Sequence, residues 1–399
     1  MPTYPWDNIS ALPLVLCGPI LRRVEKDSVT VWVALKEEKS LFLEIFETTG
    51  SKEVVANGFT DTIKFGKNLH IACVTAIPLS GNLTQGKIYA YDITFSGSEK
   101  LAGKDIVCSD SGKFKSEFCY GSYDLPSFCL PSEYVDNTKL EHLKIAHGSC
   151  RKPHGGKRDA FRLLDGKLSD YHKVIDPKER IQMLFLTGDQ IYADDVDPYL
   201  FEMLEKVTDS IVNIPEILPI ENDSSIYNDG FSQSELEKNN RYQLIKKIGF
   251  TADENESQNH VIKLGEFYSM YLFAWSDVLW PDLDAEAHEN SIEIQNYWRA
   301  LPKVRKVLAN IPTYMIFDDH EITDDWFRTF EWSEKTLSDP TARRVLANGL
   351  SAYAVFQGWG NIPEKFDNTL LPYIDILENL KINSSPKPNF STLESLLLP

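Results

Sequence analysis

Positive charge is scarce in this sequence. Its 41 lysines and arginines stand against 59 aspartates and glutamates, a net charge of −18 with a pI near 4.9. Such a surface repels phosphate backbones and anionic lipid, so a general nucleic-acid or membrane-surface binder is excluded, though a local cation can still hold one phosphate. The sequence also lacks the ~18 uninterrupted apolar residues of a membrane span. No basic segment precedes the short apolar stretch Ala11–Leu16, and Arg22 and Arg23 follow it. A secretory leader therefore has no support, and a cytoplasmic location is expected. None of the six cysteines forms a CxxC pair or a dense framework, which reads as reduced thiols. Internal repeats and low-complexity tracts are absent too.

What is present is ordinary globular composition, 42% hydrophobic and 12% aromatic over 399 residues. That is enough for a sizeable core, and at roughly 100–200 residues per domain it suggests two or three domains. From Leu14 to Phe118, short runs such as Val29–Ala34, Leu41–Phe46, Ile71–Ile77 and Ile88–Phe95 alternate with Gly, Asn and Ser clusters. This spacing predicts an antiparallel β-sandwich over residues 1–118. Residues 119–137, rich in Ser, Pro and Tyr, read as a linker. Residues 138–399 change character: buried-strand patterns at Leu143–Ala146, Ile181–Leu186 and Thr313–Phe317 are separated by helical segments, which predicts a mostly parallel sheet. A helical insertion is expected around 198–310, with a polar part at Glu221–Asn240 and an aromatic helical part at Phe267–Trp280.

Each predicted parallel strand is followed by residues of ligand type. The first ends in His147-Gly148-Ser149-Cys150-Arg151-Lys152, the second in Thr187-Gly188-Asp189-Gln190-Ile191-Tyr192-Ala193-Asp194-Asp195, the third in Asp318-Asp319-His320-Glu321 and Asp324-Asp325. Ligands of open α/β sheets bind beyond the carboxyl ends of the strands, so the three clusters can converge. Grouped carboxylates repel unless a cation neutralises them, and a mixed O, N and S donor set favours a transition metal over magnesium alone. A Cys150 thiolate and a Tyr192 phenolate both suit a trivalent iron. Metal pairs of this kind clamp phosphate esters and serve their hydrolysis. Taken singly, the same residues have plainer readings: Cys150 as a small buried hydrophobe, Tyr192 as a buried ring, His320 as a core histidine, Lys157-Arg158 as surface charge, and Asp324-Asp325 as a helix N-terminus. A cysteine-nucleophile hydrolase using Cys150 with His147 or His154 is a weaker alternative, because neither histidine has a visible orienting acid.

These motifs resemble the alkaline phosphatase D (PhoD-like) family of metallophosphatases. Gly148–Lys152, Gly188–Asp194 and Asp318–Glu321 occur in the family's order, and Cys17–Val24 with Ser28–Trp32 resembles its N-terminal sandwich. The resemblance implies an Ig- or fibronectin-like sandwich followed by a metallophosphoesterase-type α/β domain. It implies that Asp189 bridges two metals, that Tyr192 and Cys150 bind ferric iron, and that Asp319 binds the second metal, calcium or another divalent ion. His320 is then expected at the substrate phosphate and leaving oxygen. Arg151 suits a phosphate clamp by charge and position. Metallophosphoesterases complete their site with a later histidine-bearing strand end, and no histidine follows His320. The catalytic domain is therefore expected to be incomplete, with an exposed sheet edge and an apolar face. Two functions follow as expectations: a phosphoric-ester mono- or diesterase, or a non-catalytic binding protein with a partial, degenerate phosphatase domain.

Overall fold

The computed structural model describes residues 4–48, 53–108, 111–131, 143–156, 158–171, 179–222, 233–284, 292–324, 326, 329–367, 372–382 and 387–398. Parts of the expected linker (132–137) and of the expected polar stretch (223–232) lie outside them.

Nine described strands form the N-terminal half: β1 Val15–Glu25, β2 Ser28–Leu35, β3 Ser40–Glu47, β4 Val54–Asp61, β5 Ile63–Gly66, β6 Leu69–Pro78, β7 Ile88–Phe95, β8 Glu99–Lys100 and β9 Ser127–Cys129. They pair antiparallel in the order β1-β2-β6-β4-β3-β7-β8, with β5 on β6 and β9 on β7. The β4–β6 contact is short, Ala56 opposite Pro78 and Asn57 opposite Ile77, so one sheet curls there into two facing layers. β9 falls in the segment read from sequence as a linker. It extends the sheet at β7, Ser127 opposite Ala90.

The period of two along β2 sends its residues into two different cores. Val29, Val31, Val33 and Leu35 face the layer carrying Leu41, Leu43, Ile45, Tyr91 and Ile93. Trp32 and Ala34, on the other side, join a second core with Phe201, Tyr268, Trp275 and Phe356 from the C-terminal half. Each fully buried Leu or Phe in these layers contributes ~1.5–3 kcal/mol by leaving water. Polar bonds lock the two halves together. Trp32 Nε1 donates to the Val355 carbonyl at 2.9 Å. The fully buried Arg22 guanidinium donates to the carbonyls of Phe356 (3.1 Å) and Gln357 (2.7 Å) and to Asn361 Oδ1 (2.9 Å). Burial pushes this guanidinium down to about 10.

The C-terminal half holds a three-stranded parallel sheet, β10 Ile145–Gly148, β11 Met183–Leu186 and β12 Thr313–Met315, in that order. Helix Phe161–Tyr171 lies between β10 and β11 in the chain. The region between β11 and β12 carries helices Pro198–Val207, Tyr242–Lys247, Leu264–Trp275, Ile292–Trp298 and Leu301–Asn310. Among the described residues, only one face of the sheet is covered. Leu184, Leu186, Thr313 and Met315 are buried, whereas Ile145 is 49% and Ile316 55% exposed, and Phe185 and Tyr314 stack on the open face with centroids 5.3 Å apart. The first strand, read from sequence as buried, is exposed or half-buried at every position, because among the described residues no second layer packs on that face. None of the described helices is long and apolar enough to cross a membrane.

Candidate metal centre at the ends of the parallel strands

The loops after β10, β11 and β12 are fastened to one another through their backbones. Thr187 N donates to Gly148 O (2.9 Å), Cys150 N to Gly188 O (3.1 Å) and Arg151 N to Asp189 O (2.9 Å). These bonds hold Cys150 at φ 54° and Asp189 at φ 43°, the left-handed region that side chains other than glycine's enter at a cost. Glu321 joins the second loop to the third. Its carboxylate, 1% exposed, accepts from Asp189 N (3.1 Å), Gln190 N (2.7 Å), Asp318 N (2.8 Å) and Gln357 Nε2 (3.0 Å).

Ligand atoms of Asp189, Asp319 and His320 lie within 4.8 Å of one another. The Tyr192 hydroxyl donates to Asp189 Oδ2 at 3.1 Å, and the Cys150 thiol is near enough to both for them to act on its proton affinity. The structure thus brings Cys150, Asp189, Tyr192, Asp319 and His320 to one place. The Tyr192 and His320 rings stack at 4.6 Å. His320 Nδ1 is bonded to Asp194 Oδ2 at 2.7 Å, which also accepts from Asp324 N at 2.9 Å, so Nε2 is the imidazole nitrogen left for the cluster.

Arg151 is placed differently from its expected role as a phosphate clamp. Its Nε donates to Asp159 Oδ2 (2.8 Å), its Nη1 to the Tyr297 hydroxyl (2.8 Å) and the Ala274 carbonyl, and its charged plane lies 4.1 Å from the Tyr297 ring centroid. With these donors committed inside the protein, it braces the first loop. Lys152 pairs with Asp195, which also meets His154 Nε2 at 3.1 Å. His154 therefore has an orienting acid after all. His154, however, gives that bond to Asp195, and His147 is bonded to Thr187 Oγ1 at 2.6 Å, so no described hydrogen bond links either histidine to Cys150.

Burial raises the proton affinity of the anionic ligands. It pushes up the Cys150 thiol, the Asp189 carboxyl and the Tyr192 phenol, the last further raised by the Asp189 charge. Burial opposes a charge on His320, but the Asp194 hydrogen bond and the charges of Asp194, Asp189 and Asp319 outweigh it and bring the imidazole up to about 9. Burial brings Glu321 up to about 7 against its backbone donors. Asp189 Oδ1 is buried without a hydrogen-bond partner. An unpaired buried carboxylate oxygen costs about 1–3 kcal/mol, and a cation beside it removes that cost. The residues therefore fit a cation: crowded acids, an orphan lone pair, and thiol, phenol and imidazole donors around it.

Asp194 and Glu321 were missed as functional supports by sequence reasoning. The signal was present, since both belong to the quoted strand-end motifs, but acids that orient a neighbour look the same in sequence as acids that bind a ligand. No family model matches the chain, and no curated protein matches it. Among solved structures it is similar to one titled "Structure of PhoD", at a TM-score of 0.41 and 14% sequence identity, over 86% of this chain and 46% of that one. The chain thus aligns with just under half of that chain's length.

Proposed function

We propose that the chain is a metal-dependent phosphoric-ester hydrolase whose site is the strand-end cluster. The observation that carries this reading is the convergence of Asp189, Asp319 and His320, with the orphan Asp189 oxygen, at the ends of parallel strands. In this reading Cys150, Tyr192 and Asp189 would hold a ferric ion, and Asp189 and Asp319 would hold a calcium or another divalent ion. Cations in such a setting supply positive charge against the phosphate and the departing alkoxide and acidify water. The chain's own residues do the rest. Asp194 fixes the His320 tautomer and ring direction through Nδ1, so that Nε2 faces the phosphate and can carry a proton to the leaving oxygen. Glu321 keeps the second and third loops in register. The buried Tyr192 ring stacks on the half-buried His320.

The test is turnover of p-nitrophenyl phosphate and bis(p-nitrophenyl) phosphate by the full chain supplied with iron and calcium. Hydrolysis abolished by Asp189→Asn is the expected result. Retained metal binding without turnover of either ester overturns the hydrolase reading in favour of a non-catalytic binding protein.

A further inference from the structure

A cavity of about 430 Å³ opens beside Cys150 and Tyr192, on the side of the first loop. Its walls include Pro153, Phe161 and Tyr297, apolar or aromatic and nearly buried, and its rim carries Arg158. The cations of the first loop differ in how they are used. Arg151 is committed to Asp159 and Tyr297, and Lys152 to Asp195. Arg158 is exposed, and among the described residues no acid pairs with it. In a chain of net charge −18, a cation left unneutralised at the mouth of a cavity is a local reversal of the prevailing field. The Arg151 guanidinium already takes one face of Phe161 (5.5 Å) and of Tyr297 (4.1 Å), so among the described residues the free cation of this cavity is Arg158, and a guanidinium there recognises a carboxylate or phosphate.

We propose that this cavity receives the alcohol part of the substrate, and that the substrate is a phosphoric ester whose leaving group carries a second anionic group facing Arg158. The inference rests on the hydrolase reading only in placing the scissile phosphate at the Cys150–Tyr192 end. Arg158 is then a specificity-determining residue that touches neither the cluster nor the scissile bond.

The test compares two non-hydrolysable probes, (4-carboxybenzyl)phosphonate and (4-carbamoylbenzyl)phosphonate, titrated calorimetrically into the metal-loaded full chain. They share shape and differ by one charge. The carboxy probe is expected to bind roughly three- to fivefold more tightly, the size of one partly solvated ion pair. Arg158→Gln should bring the ratio to one while leaving the carbamoyl affinity in place, and Arg158→Glu should invert it. A ratio near one in the unmodified protein, a ratio unchanged in Arg158→Gln, or no binding of either probe overturns the proposal. Turnover of the matching phenyl phosphates separates it from the parent reading. Discrimination between the phosphonates without any hydrolysis removes the hydrolase and keeps the pocket. Hydrolysis with no discrimination does the reverse.

Discussion

Replacing Glu321 by alanine tests whether the site is assembled before any cation arrives. The carboxylate accepts four hydrogen bonds in a nearly water-free setting, three of them from backbone N–H groups on two different loops. Deleting it leaves these donors buried and unpaired, at about 1–3 kcal/mol each for groups that find no substitute. Partial relaxation reduces the sum, so Glu321→Ala is expected to cost about 3–5 kcal/mol, the range seen when one side of a buried polar network is removed. Glu321→Gln keeps the shape and one acceptor oxygen with its two donors, and should cost roughly half as much. Urea denaturation of the metal-free protein measures both. Because Asp189 and Asp318 lose their common anchor, the affinity for a divalent cation should fall in the same order, Ala below Gln below the unmodified chain. Asp189→Asn provides the contrast: it should abolish cation binding at a small cost in stability. A Glu321→Ala protein within ~0.5 kcal/mol of the original, with unchanged cation affinity, refutes the reasoning.

Three further outcomes are expected. Gly188 sits at φ 146°, and a Cβ there would lie 2.8 Å from Asp318 Oδ2. Gly188→Ala should therefore separate the second and third loops, lowering the urea midpoint by the equivalent of ~1–3 kcal/mol and weakening cation binding. His260 is fully buried, with Nδ1 bonded to the Val261 carbonyl at 2.7 Å, and burial lowers it to about 4. A histidine depressed from its ordinary 6.5 contributes stability that is present above pH 6.5 and lost as pH falls towards 4, amounting to about 2 kcal/mol between pH 7 and pH 5. His260→Gln should remove that part of the acid sensitivity, and an unchanged pH dependence of the urea midpoint overturns this. In the iron-loaded protein, Tyr192 bound as phenolate predicts a pink to purple charge-transfer band. A colourless protein whose Tyr192→Phe variant keeps its full iron content removes Tyr192 from the ligand set.

The strands were legible because their sequence periods are strong. Ile88–Phe95 matches β7 residue for residue, and the other three sandwich runs lie within strands that extend them by one or two residues at each end. The alternation in Val29–Ala34 gives a strand with two faces but not what each face meets. Trp32 looks like the outer side of a sandwich, and it is buried because the C-terminal half packs there through Trp275 and Phe356. An exposed apolar face was expected of the incomplete domain, but which residues form it was hidden for the same reason. Ile145, Phe185, Tyr314 and Ile316 are as apolar as their buried neighbours, and composition does not report which side a layer covers. Arg151 shows the limit at the site. Its position beside Cys150 was plain, but its direction depends on Asp159, Tyr297 and the Ala274 carbonyl, the latter two more than 100 residues away in sequence.

The local rules that the site breaks have a common cause. Cys150 and Asp189 both adopt a backbone conformation that glycine would enter more cheaply, and each is bonded to the other's loop at that point. A glycine at either place would ease the turn and keep the backbone bonds. The side chains must therefore be contributing something the turn does not need. Asp189 makes the case most directly. One of its oxygens takes the Tyr192 hydroxyl while the other is buried with no partner, although the surrounding loops are rich in N–H donors already spent on Glu321. A loop optimised for stability alone would send one of those donors to Asp189. Their assignment to Glu321 leaves the Asp189 oxygen free and fixed in direction beside Asp319 and His320, which is the arrangement a cation requires and a packed core has no use for.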